Sequence, residues 1–142
     1  MQQSDEYFCA PNETFETITG LKRGLSTSHR DLIEDLYAAL KAKKISLMLY
    51  ITGNGPFKNW PAMIKLTDNN FHERVVKNAY QVDEVFVNNW GKVLAEFSNR
   101  YKGKVKGWWV DGAYPFVGYN DTLLPLLKKS FAIGKRRCNC GV

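Results

Sequence analysis

Asp111 stands where an apolar run ends and a loop rich in Gly, Pro and Tyr begins, within VKGWWVDGAYPFVGY at 105–119. In α/β proteins chemistry collects at such positions, because loops leaving the C-terminal ends of parallel strands converge on one crevice. Side chains alternate along a strand, so Gly107, Trp109 and Asp111 are expected on one face and Trp108 and Val110 on the other. If Asp111 faces a pocket, Trp109 forms an apolar floor beneath it and Trp108 packs outward against helices. The plainer reading is an Asp that caps the turn before Gly112.

Other residues with chemical potential form weaker patterns. His29 and His72 are each isolated, and a surface or capping role suits them better than catalysis. Cys9, Cys138 and Cys140 make neither a zinc spacing nor a disulfide framework. No metal site is therefore expected. Gly53-Asn54-Gly55 lacks the Lys-Ser/Thr that a phosphate loop needs, and Pro56-Phe57 replaces a helix start.

The elements that must position Asp111 follow from periodicity. Leu32, Ile33, Leu36, Tyr37 and Leu40 recur at helical spacing and predict a helix over 30–43, with Ser28 as N-cap and Asp31 completing a near capping box. ISLMLYI at 45–51 reads as a strand apolar on both faces, the mark of a buried parallel sheet. A long connection over 52–82 is expected to be a functional lid or to carry small helices. Phe86, Trp90, Val93, Leu94, Phe97 and Tyr101 predict a core-facing helix over 83–101. The Asp111 strand follows, and a last helix is expected over 121–129. Residues 4–12 read as a loop or frayed strand, and 13–25 as a polar connection. The order is βαβ with a preceding helix, which calls for parallel strands whose loops leave on one side. Without a Gly-rich dinucleotide fingerprint, a barrel is favoured over a doubly wound sheet.

Composition sets the outer limits. The 142 residues, 44% of them hydrophobic, suffice for one domain with a core. No apolar run is long enough to span a membrane, and the polar start MQQSDEYF is not a secretory signal. The net charge is +6, to which Lys135, Arg136 and Arg137 contribute near the C-terminus. The remaining lysines are scattered in the sequence, so solvated surface is expected and not a nucleic-acid interface.

Four stretches resemble the catalytic barrel of α-L-fucosidase-like glycoside hydrolases (family 29 type). They are YFCAPN at 7–12, RDLIEDLYAALKAKKISLMLYITGNGPF at 30–57, NNWGKVLAEFSNRY at 88–101 and VKGWWVDGAYPFVGYND at 105–121. The resemblance implies a partial TIM (β/α)8 barrel over 1–133, an α/β fold running from about the end of barrel strand 2 to strand 4. It gives Asp111, which closes the fourth strand, the role of nucleophile in retaining hydrolysis. Trp109 matches the family's Trp two residues before the nucleophile, and Tyr7 lies in a segment that borders the sugar pocket. Tyr114, Phe116 and Tyr119 are further aromatics suited to stacking on sugar, with Tyr114 the expected substrate contact. Ala113 and Lys102 depart from the usual Cys and Gly. The partner implied is a fucosylated glycan or other glycoside, with no cofactor and no membrane or nucleic acid. The family is typically secreted, periplasmic or lysosomal.

The family's acid/base has no match here; Asp121 and Glu6 are the nearest carboxyls in sequence. A barrel takes roughly 250 residues, so the chain reads as a fragment, expected to be poorly stable and inactive alone. GKRRCNCGV at 134–142 has no apolar strand pattern where a fifth strand is due. A shifted reading frame and an ordinary disordered tail both account for it. The alternative function is a non-catalytic carbohydrate-binding or interaction module built on Trp109, Tyr114, Phe116 and Tyr119.

Overall fold

A computed structural model describes residues 2–3, 7–53, 55–69 and 84–111. The expected helix at 121–129, the tail, and Glu6, His72, Tyr114, Phe116, Tyr119 and Asp121 lie outside these residues. The described chain is mixed helix and strand. In order it forms β1 (Gln2–Gln3), β2 (Tyr7–Phe8), α1 (Glu13–Thr19), α2 (Leu32–Ala42), β3 (Leu47–Thr52), α3 (Trp60–Leu66), α4 (Glu84–Arg100) and β4 (Val105–Asp111). β1 pairs antiparallel with β2, and β3 pairs parallel with β4. Among the described residues, no helix is long and apolar enough to cross a membrane.

The core is built on α4. Its expected stripe is buried: Phe86, Trp90, Val93, Leu94, Phe97 and Tyr101 are all at most 1% exposed, and Val87 beside it is buried too. Phe8 enters that stripe from β2, with its ring 5.0 Å from Phe15, 5.3 Å from Phe97 and 6.0 Å from Trp90. Edge and offset contacts of this kind add to the area term that drives burial. Leu47, Leu49 and Ile51 of β3 complete the core from the sheet side.

Residues 13–25 are not the polar connection that composition suggests. They begin with α1, whose start is fixed by Asn12: its Oδ1 accepts from Phe15 N at 2.7 Å, and its Nδ2 donates to Val93 O at 3.1 Å. Glu96 on α4 accepts from the Glu13 and Thr14 amides at 3.0 and 2.7 Å, satisfying donors that a helix start leaves open. Gly20 ends the helix at φ +69°, a left-handed conformation that favours glycine. The signals were present in Asn12, the acidic first turn and Gly20, but a helix this short has too little periodicity to stand out.

α2 starts later than expected. Its N-cap is Asp31, whose Oδ1 accepts from Ile33 N and Glu34 N at 3.1 and 3.0 Å, while Ser28 Oγ merely accepts from Arg30 N. The predicted apolar face is only half covered: Ile33 is buried and Tyr37 and Leu40 pack on the core, but Leu32 and Leu36 are 46% and 45% exposed. Asp31 also receives the Tyr101 hydroxyl at 2.9 and 3.0 Å. Burial pushes the Tyr101 phenol well above its usual range, and the negative charge of Asp31 pushes it further.

The long connection after β3 does carry a helix, α3. Asn59 caps it by accepting from Ala62 N at 3.2 Å, with Pro61 in the first turn where it needs no donor. Ala62, Met63 and Leu66 face the core.

Candidate active site

The two parallel strands run in register from Met48↔Gly107 to Thr52↔Asp111, so their C-terminal ends lie side by side. Pairing begins at Leu47↔Val105, and a bulge before Met48↔Gly107 leaves Lys106 as the extra residue. Beyond the bulge the parity is that read from sequence. Gly107, Trp109 and Asp111 share a face with their partners Met48, Tyr50 and Thr52, while Trp108 and Val110 pack against the core.

Thr52 is buried, but below it that first face is open, contrary to the expectation of a strand buried on both sides. Met48 is 60% exposed, Tyr50 37% and Trp109 67%, and the Asp111 side chain is also exposed. Gly107 leaves room for Met48, because a β-carbon there would stand 3.2 Å from Met48 Cε.

At the upper end of this face Tyr50 Oη donates to Asp111 Oδ2 at 2.8 Å. Tyr50 pairs with Trp109, one layer below, so its ring leans upward to reach the carboxylate. The contact ties the carboxylate to the strand that pairs with its own. The backbone is fixed as well. Gly53 N donates to Asp111 O at 2.6 Å, Thr52 Oγ1 to Gly55 O at 2.7 Å, and Trp90 Nε1 to Thr52 O at 3.1 Å. Gly55, at φ +78°, lies so close to Phe86 that a β-carbon would stand 2.9 Å from its ring. The loop after β3 is thereby pinned to α4, and through it the strand end that carries Asp111.

The expected site residues are thus divided. Asp111 and Trp109 share one face. Tyr7 lies on the separate β1–β2 pair, and its hydroxyl donates to Gly24 O at 2.9 Å. Tyr50 was passed over in the sequence because it sits in a continuous apolar run; strand alternation places it on the face opposite Leu49 and Ile51. Among the described residues no three His, Cys, Asp or Glu side chains gather as a metal site.

A carboxylate held by a phenol at the end of a strand, above exposed aromatic surface, suits attack on an electrophilic carbon of a ligand whose apolar face rests on the rings. No protein-family model, curated protein or solved structure matches the chain.

Proposed function

We propose that the chain carries the nucleophile half of a retaining glycoside hydrolase of the α-L-fucosidase type, within a partial (β/α)8 barrel, with Asp111 as nucleophile. The observation that supports this most is the 2.8 Å hydrogen bond from Tyr50 to Asp111 at the paired C-terminal ends of β3 and β4, on the face that Trp109 leaves open. In a (β/α)8 barrel such a face looks inward, and the C-terminal strand ends form the active face. The exposed Met48, Tyr50 and Trp109 are then an interior surface whose opposite wall comes from other strands.

In the first step an Asp111 oxygen attacks the anomeric carbon. A glycosyl ester forms, the bond to the aglycone oxygen breaks, and that oxygen takes a proton from an acid. Water then cleaves the ester with retention. The acid must stand about 5–5.5 Å from Asp111, and no described residue is assigned to it. The resemblance implies that the acid lies outside this chain, and the chain alone is then expected to turn over no ordinary glycoside.

A 2-deoxy-2-fluoro-fucosyl fluoride separates nucleophile from acid, because fluoride leaves without protonation. Incubation should add one fluorofucosyl group to the peptide containing Asp111, seen by mass spectrometry, and none in Asp111→Asn. Absence of label on the folded chain would overturn the nucleophile assignment.

The exposure of Trp109 favours a second reading, a sugar-binding surface without catalysis. Saturable quenching of tryptophan fluorescence by L-fucose without labelling by the fluoride selects it.

A further inference from the structure

The described arginines are all neutralised by carboxylates. Arg23 pairs with Glu16 at 3.0 Å, Arg30 with Asp35 at 2.5 Å, and Arg100 with Glu96 at 2.6 Å. The lysines at the N-terminal ends of β3 and β4 behave differently. Lys41, Lys43 and Lys44 lie at the end of α2 and in the turn that leads to β3, and Lys102, Lys104 and Lys106 flank the start of β4. Lys104 meets Glu34, and Lys41 Nζ lies 5.6 Å from the centre of the Tyr37 ring. Lys43, Lys44, Lys102 and Lys106 have no carboxylate partner among the described residues.

The fold draws these scattered residues together. Leu47 pairs with Val105, so the turn holding Lys43 and Lys44 and the turn holding Lys102 and Lys104 meet at the bottom of one strand pair. Chain length and strand spacing keep the α-carbons of Lys44 and Lys104 within about 20 Å of each other. The turns are tightly made: Lys44 N donates to Lys41 O at 3.0 Å, Lys104 N to Tyr101 O at 3.0 Å, and Gly103 turns at φ +75°. The bulge in β4 sets Lys106 out of the ladder and exposed.

We propose that this cationic pole is a binding surface for an acidic polysaccharide. Unpaired, solvated lysines act as point charges toward repeated single anions, whereas arginine supplies the planar fork that reads individual phosphates. Among the described residues at the pole, the Tyr37 ring is already engaged by Lys41 and Tyr101 is buried, so neither offers a platform for stacked bases. That the polyanion is a polysaccharide rests on the glycoside reading of Asp111; the cationic pole does not. Parallel pairing puts the pole at the opposite end of the strands from Asp111, about 20 Å away over six residue steps. A charged polymer held there would raise the local concentration of its own neutral branches at the other end of the sheet.

The test uses the full chain on immobilised heparin with a sodium chloride gradient. Variant one replaces Lys43, Lys44, Lys102 and Lys106 with Gln. Variant two replaces Lys22, Lys58, Lys65 and Lys92, four exposed lysines elsewhere, with Gln, and has the same net charge. The basic residues at 135–137 are common to both and cancel. Circular dichroism confirms equal folding. Variant one should elute at clearly lower salt than variant two, and in solution should bind a fluorescent heparin oligosaccharide at least tenfold more weakly. Equal loss in both variants would reduce the effect to net charge and overturn the proposal. Tighter binding of single-stranded poly(dT) than of heparin at matched salt would overturn the polysaccharide assignment. The Asp111 labelling above is indifferent to these lysines, so failure there leaves the pole standing and failure here leaves the nucleophile standing.

Discussion

The two faces of the β3–β4 pair are made from similar residues and end in opposite environments. Leu47, Leu49 and Ile51 are at most 7% exposed, while Met48, Tyr50 and Trp109 lie between 37% and 67%. Hydrophobic composition therefore does not tell which face holds the molecule together. What decides is whether an opposing element is present: α4 packs against the first face, while on the second Thr52 is buried but Met48, Tyr50 and Trp109 stay exposed. An apolar face left open in this way marks a ligand or partner surface, or an interior whose far wall lies elsewhere.

The sharpest way to break this comparison is to truncate one large ring on each face. Trp90→Ala removes a fully buried indole and its hydrogen bond to Thr52 O, and should cost about 3–5 kcal/mol, enough to unfold a small domain. Trp109→Ala removes an indole that is two-thirds exposed, and should change stability by less than about 0.5 kcal/mol. Urea unfolding followed by circular dichroism measures both. Similar losses would mean that the second face is a covered core after all.

A smaller effect tests how the covered side is tied together. Asn12→Ala loses the cap of α1 and leaves Val93 O without its buried donor, for an expected loss of about 2 kcal/mol. Asn12→Asp keeps the capping oxygen but buries a carboxylate whose second oxygen faces Val93 O, and should cost at least as much. If both variants match the parent, the junction between α1 and α4 contributes nothing.

Much of the covered side was legible in the sequence, and the open side less so. The α4 stripe and the alternation about Asp111 follow from fixed periods of 3.6 and 2, which do not depend on neighbours. The exposure of Met48 and Tyr50 depends on which elements lie opposite, which a strand's own residues do not state. Tyr50 was hidden for the same reason, since a tyrosine in ISLMLYI reads as core until its hydroxyl is seen to reach Asp111. The lysine pole was hidden by distance along the chain: Lys43 and Lys102 look scattered until Leu47 pairs with Val105. The start of α2 was misplaced because both Ser28 and Asp31 are good caps, and only Asp31 also meets Tyr101 and Arg100.

On the open face, Tyr50→Phe removes the hydroxyl that donates to Asp111. Labelling by the fluorofucosyl fluoride should slow about tenfold, equivalent to about 1.4 kcal/mol in the transition state, with stability unchanged. A rate equal to the parent's would leave the hydrogen bond without a role in positioning the nucleophile.

The smallest effect is set by protons on the covered side. Burial by itself would raise the Glu16 carboxyl, but hydrogen bonds from Arg23 and Thr27 and the charge of Arg23 outweigh it and hold the group below the usual carboxylate range. A carboxyl lowered on folding stabilises the folded chain above its unfolded pKa, and that contribution disappears as pH falls through the folded value. Tyr101 has the opposite sense: its phenol is raised on folding, so its contribution is present below about pH 10, the ordinary phenol value, and fades as pH rises beyond it. Stability against urea should therefore fall below about pH 4 and again above about pH 10. Glu16→Gln should shrink the acid loss and Tyr101→Phe the alkaline one, while Trp109→Ala, acting on the other face, should leave both limbs parallel to the parent's. An acid limb that Glu16→Gln leaves unchanged would locate the responsible carboxylates away from the α1 junction.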